Sequence, residues 1–148
     1  MFMETLGSLC DKLTIVKLKQ YHTAEKIKLD SLNKQEIQLK CEIDEYIFSA
    51  IKGTIPEEKL IFESNKVYKK QGNEVSKFQG NIGEAFAELA KVNCDLWHEQ
   101  ENVYEFEKVQ EENKNHIVKQ LALLNLQRNQ CIDVINENFR KLIKNKIS

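Results

Sequence analysis

The chain is expected to fold as an all-α, up-and-down antiparallel bundle of four long helices, with an extra short helix between the second and third. Three observations carry that expectation. The 148 residues include one Pro and five Gly, and a chain so poor in the main breakers of regular structure runs in long elements. Apolar residues recur at helical spacing along most of its length. Charged residues make up 30% of the chain and interleave by sign, 22 basic against 23 acidic, as on solvated helix faces. The length suits a single helical domain over residues 1–148.

The first helix is read from about Glu4 to Leu29, with Leu6, Leu9, Cys10, Leu13, Val16 and Ala24 on one face. Ile15 and Leu18 project the other way, which predicts a helix buried on more than one side. Asp30-Ser31-Leu32-Asn33 supplies turn and capping residues. A second helix then runs to Lys52, its apolar positions including Leu32, Ile43, Ile47 and Ile51, and Gly53 suits the position just past its end. Thr54-Ile55-Pro56-Glu57 reads as a capping box opening the short helix, which continues to about Lys70 and ends near Gly72-Asn73. A looser, lysine-bearing stretch (Lys66, Lys69, Lys70, Lys77) leads to Gly80 and could supply an anion-binding rim. Asn81-Ile82-Gly83-Glu84 repeats the capping logic and opens the third long helix, striped by Ile82, Phe86, Leu89, Leu96 and Val103. The polar interval Gln110 to Asn115 is taken as the turn. The last helix carries Ile117, Leu121, Leu124, Cys131, Ile135, Phe139 and Leu142. Two such helices of similar length should form an antiparallel hairpin.

Composition excludes several function classes. A formal charge of −1 gives no field for nucleic acid or an anionic surface. No apolar run approaches the ~20 residues of a membrane span. Met1-Phe2-Met3-Glu4 lacks a signal peptide's basic start and apolar core, so a cytoplasmic location is expected. Cys10, Cys41, Cys94 and Cys131 stand singly, without a C-x-x-C pair, and read as reduced thiols, with Cys94 and Cys131 shielded. Asp95 and His98 give one Asp-x-x-His spacing that nothing repeats, so neither a metal nor a cofactor is expected. No phosphate-cradling glycine loop or nucleophile motif occurs. The acidic groups Glu99, Glu101, Glu105, Glu107 and Glu42, Asp44, Glu45 could hold magnesium, but such clusters are commonplace on solvated helices.

The apolar stripes are broken at a few positions. Asn93 and Gln100 share the stripe of Leu89 and Leu96, and Arg128 shares that of Leu121, Leu124 and Ile135. A hairpin turning near Glu112 would set Arg128 across from Leu96, flanked by Asn125, Trp97 and Glu101. A buried guanidinium requires acceptors or an anion. The layer is therefore either a satisfied network that fixes helix register or a pocket where Arg128 meets a carboxylate or phosphate. On the first helix Lys17 and Gln20 fall near the apolar face, close to Leu13, and could join this layer, whereas Asp11 and Lys12 face elsewhere and read as surface charges.

The stretch Glu4-Thr5-Leu6-Gly7-Ser8-Leu9-Cys10-Asp11-Lys12-Leu13-Thr14-Ile15, continuing to Lys17, resembles the opening of an uncharacterised helical bacterial domain-of-unknown-function family. Asn93-Cys94-Asp95-Leu96-Trp97-His98-Glu99-Gln100-Glu101 and Leu124-Asn125-Leu126-Gln127-Arg128-Asn129 look similar to its remaining signatures. Genes of that family often lie among those for lipopolysaccharide or capsule synthesis. The resemblance thus implies a cytoplasmic accessory role in surface-glycan assembly, and no reaction. Two readings result: a non-catalytic interaction protein, for which a homodimer is one form, or a small-molecule site, enzymatic or not. The second would be centred on Arg128, with Asn93, Trp97, Gln100, Glu101, Asn125 and Lys17 around an anionic sugar derivative.

Overall fold

The computed structural model describes residues 4–62 and 80–147. The first helix, α1 (Leu6–His22), starts where Thr5 is extended and its hydroxyl accepts the Ser8 backbone N–H at 3.3 Å. That bond satisfies a donor the first helical turn leaves open. The helix ends at His22 rather than near Leu29, and Thr23, in extended conformation, starts a short connection. The second helix, α2 (Lys26–Lys52), therefore swallows the expected turn: Leu32 is buried within it, while Ala24 is exposed in the connection. Register explains the shift. Lys17 Nζ reaches Glu36 Oε1 at 2.8 Å and Gln20 Nε2 reaches Asn33 Oδ1 at 3.1 Å, so Asn33 is used sideways, between helices, and not as a cap.

Gly53 ends α2 in the left-handed conformation (φ 81°), as its position predicted. The Gly53 N–H returns to Ala50 O at 3.2 Å, and both the Thr54 N–H and hydroxyl return to Ser49 O at 3.0 Å. Thr54 thus closes one helix instead of opening the next. The chain then makes a single 3-10 turn, Glu57–Lys59, and Glu57 accepts from Arg140 Nη1 at 3.2 Å rather than capping its own turn. The remainder of the expected short helix and the lysine group Lys66 to Lys77 lie outside the described residues.

The third helix, α3 (Ile82–Tyr104), begins with Glu84 accepting the Asn81 N–H at 3.4 Å, as expected. It stops before a connection, Glu105 to Gln110, that holds a 3-10 turn at Phe106–Lys108. The fourth helix is α4 (Glu111–Ile147). The hairpin forms, but its turn lies earlier than Gln110–Asn115, so the two helices have 23 and 37 residues instead of matching. The polar interval suits the start of α4: Glu111 and Glu112 favour the positive end of the helix dipole. Lys114 pairs with Glu111 at 2.9 Å and lies over the Phe106 ring, 5.0 Å from its centroid.

Cross-helix pairs fix the topology. Gly7 meets Asn136 and Asp11 meets Arg128, so α1 and α4 are antiparallel. Tyr46 packs on Phe139 (centroids 6.0 Å) and Lys146 binds Ile51 O, so α2 and α4 are parallel. Asn138 binds Gly80 O at 2.9 Å while Leu121 and Leu124 pack with Val92 and Leu96, so α3 and α4 are antiparallel. The result is the predicted up-and-down four-helix bundle, with α1 innermost, touching each of the other three. Its main core joins Leu6, Leu9 and Cys10 of α1 to Tyr46, Leu89, Ile135 and Phe139. Val103 and Leu142, expected in the stripes, are exposed, and Ile143 is buried instead.

Candidate functional site

The deepest polar group lies between α1, α3 and α4. On α1, Gly7, Asp11 and Thr14 recur at helical spacing and share one face. Gly7 permits the close approach: a Cβ there would sit 2.5 Å from Ile132 O and 2.9 Å from Asn136 Oδ1. Its N–H donates to Asn136 Oδ1 at 2.7 Å. One turn on, this approach brings Asp11, 4% exposed, against Arg128. Arg128 Nε donates to Asp11 Oδ1 at 2.9 Å while Nη2 donates to Oδ2, a two-pronged fork. Asn93 of α3 donates from Nδ2 to Asp11 Oδ1 at 2.9 Å and to Thr14 Oγ1 at 2.7 Å. The Thr14 hydroxyl in turn donates to Asp11 O at 2.7 Å. The Asn93 amide, the Thr14 hydroxyl and the Arg128 Nε and Nη2 groups thus all find acceptors within the layer.

Electrostatics reflect that closure. Asp11 holds the Arg128 guanidinium above its ordinary value through the hydrogen-bonded fork, against the opposing effect of burial. Burial, with the Asp11 charge adding to it, pushes the Cys10 thiol up to about 11. The carboxylate accepts from Arg128 and Asn93 together and is ill placed to act as a base. An anion approaching Arg128 would have to displace Asp11 or sit beside it. Arg128 keeps 31% of its side chain exposed, and its Nη1 has no partner among the described residues.

Of the residues singled out from sequence, only Asn93 and Arg128 enter this layer. Gln100 is exposed and away from the layer, and Asn125 is half-buried without joining it. Lys17 points outward to Glu36 of α2. Trp97 and Glu101 of α3 lie beside the far end of α1: the indole stacks on His22 (4.7 Å, 11°) and donates to Glu101 Oε1 at 3.1 Å. The earlier hairpin turn accounts for the slip, since it pairs Leu121 and Leu124 with Val92 and Leu96 and carries Arg128 below the level of Leu96. Asp11 and Thr14 are what sequence reasoning missed. The available signal was their succession after Gly7, a residue that lets a neighbouring helix close in. Cys131 is buried as expected and its thiol is pushed to about 11, by burial first and then Glu88. Cys94 is only half-buried, whereas Cys10 is fully so.

The clefts lie elsewhere. One, of about 310 Å³, runs between α1 and α2 past Ile15, Val16 and Leu39. A second, of about 260 Å³, lies under the end of α2 beside Ile55 and Ile143, and a third, of about 230 Å³, flanks Ser8 and Asn136. Among the described residues no group of three or more His, Cys, Asp or Glu is placed to hold a metal ion, and no helix is long and apolar enough to cross a membrane. Compared with protein-family models, curated proteins and solved structures, the chain matches none.

Proposed function

We propose that this chain is a non-catalytic accessory or interaction protein of the cytoplasm, serving the synthesis of a surface glycan. The observation that carries the non-catalytic half is the closure of the Asp11–Arg128–Asn93–Thr14 layer on itself, with its one fixed positive charge committed to an internal carboxylate. Satisfied buried polar groups of this kind set helix register, whereas ligand sites are concave and keep donors free. The glycan half is supported by the resemblance of Glu4 to Lys17, Asn93 to Glu101 and Leu124 to Asn129 to the uncharacterised bacterial family.

The partial exposure of Arg128 favours a second reading, in which Nη1 receives the phosphate or carboxylate of a sugar derivative. Cells lacking the gene, complemented with the Asp11→Asn/Arg128→Leu pair, separate the two. That pair removes both charges and leaves Asn93 an acceptor. A normal glycan profile from a folded double variant is expected. A folded protein that fails to restore the glycan would overturn the register reading, and a deletion that leaves the glycan unchanged would remove the link to its synthesis.

A further inference from the structure

The outer helix α2 buries only Leu32, Tyr46 and Ala50, and it leaves bulky apolar side chains in water. Ile27 is 78%, Ile37 63%, Phe48 58% and Ile51 45% exposed. With Cys41, also exposed, they fall on a single line whose steps alternate between three and four residues, filled in by Asp30, Lys34 and Asp44. That is the spacing of a coiled-coil seam, apolar at five of its eight positions and charged at three, and it lies on the side of α2 turned away from α1.

We propose that a second copy of this chain docks on this seam, with the two α2 helices antiparallel about a dyad near Leu39. In that orientation the central positions of the seam complement one another. Reversal about the dyad sets Lys34 against the partner's Asp44 and Ile37 against the partner's Cys41. At the ends it sets Ile27 against the partner's Ile51, and Phe48 against the partner's Asp30. By symmetry every contact occurs twice. Lys34 and Asp44, which meet across the dyad, have no ion pair within the chain among the described residues, so each can take the other's charge. A parallel arrangement would set lysine on lysine and aspartate on aspartate. Interfaces that use each surface patch on both copies are the commonest route to a soluble dimer. The seam's handedness suits a left-handed crossing of about 20°.

This inference deepens the reading of the chain as an interaction module and rests on it. The experiment measures association alone, whereas that reading stands on the glycan assay. Lys34→Glu and Asp44→Lys are made singly and together, and dimerisation is measured by sedimentation equilibrium over a concentration series, with circular dichroism as the check on fold. Ten residues apart on one helix, Lys34 and Asp44 are about 15 Å from each other and cannot touch within a chain. Wild type is expected to dimerise. Each single change turns two attractive contacts into repulsive ones and should raise Kd roughly 10- to 100-fold. The double change should restore the wild-type value, with helicity unchanged in all four proteins. A monomeric wild type overturns the proposal. So do single variants that associate normally, which place any dimer on another face, and a double variant that stays dissociated, which rules out this register.

Discussion

Arg128→Leu removes both prongs of the fork and leaves Asp11, 4% exposed, with Asn93 as its remaining side-chain donor. Breaking a fully buried ion pair from one side costs about 3–5 kcal/mol. Because 31% of the Arg128 side chain meets solvent, water already screens part of the interaction, and a loss of about 2–3 kcal/mol is expected. For a chain of this size that corresponds to a fall in Tm of roughly 4–12 °C. Asp11→Asn should cost less, about 1–2 kcal/mol, since the amide still accepts from Asn93 and the freed guanidinium can turn to water. Once Asp11 is neutral, Arg128→Leu no longer strands a charge, so the double variant should lose at least about 1 kcal/mol less than the sum of the single losses. Arg128→Lys should not rescue, because a point charge cannot reproduce a planar two-pronged contact. Urea unfolding of wild type, both single variants and the double variant supplies the cycle. Strictly additive losses would refute the coupling, and an Arg128→Leu protein as stable as wild type would refute the whole account of the layer.

Gly7→Ala should cost about 1–3 kcal/mol, since its Cβ would press on the Ile132 carbonyl and force α1 off α4; a melt matching wild type would show that the helices have room to give. In dilute protein a bulky thiol reagent should label Cys41 first and Cys10 and Cys131 only on unfolding, because burial holds both thiols near 11; prompt labelling of Cys131 in the native state would contradict its place in the core. Hydrogen bonds from Lys17 and then Lys40 hold the Glu36 carboxyl at about 2, below its ordinary 4.5. A depressed carboxylate contributes stability above its unfolded value and loses it as pH falls through the folded one, so this contribution fades between about pH 4.5 and pH 2. Glu36→Gln should flatten that stretch of the acid-unfolding curve, and an unaltered curve would mean that the clamp between α1 and α2 does not persist in solution.

Much of the fold was legible because its signals are local. Gly53 needed a left-handed backbone and Glu84 needed only its own helix start, and both fell where expected. The stripe residues Leu89, Leu124, Cys131 and Ile135 are buried for the same reason. The errors arose where local propensity was silent. Thr23–Glu25 and Glu105–Gln110 contain neither Gly nor Pro, so nothing in their composition marks the ends of the helices they join. A turn misplaced by about one helical turn then moved Arg128 off the level of Trp97 and Glu101. Asp11 was read as a surface charge because a single sequence cannot reveal which face of α1 receives another helix. Only Gly7 hinted at it.

The fork between Asp11 and Arg128 joins positions 117 residues apart, and that separation has a consequence in time. At synthesis rates of about 5–20 residues per second, α1 exists for roughly 6–23 s before its countercharge has been made. In that interval α1 can pair with α2 and meet Asn93 of α3, but the side that packs on α4, where Gly7 meets Asn136 and Asp11 meets Arg128, has nothing to close against. The α3–α4 hairpin needs only its own neighbours and can zip as it emerges. The opening helix is thus the keystone set last, and a nascent chain that stalls before Arg128 would present an unfinished, adhesive arch to the cell.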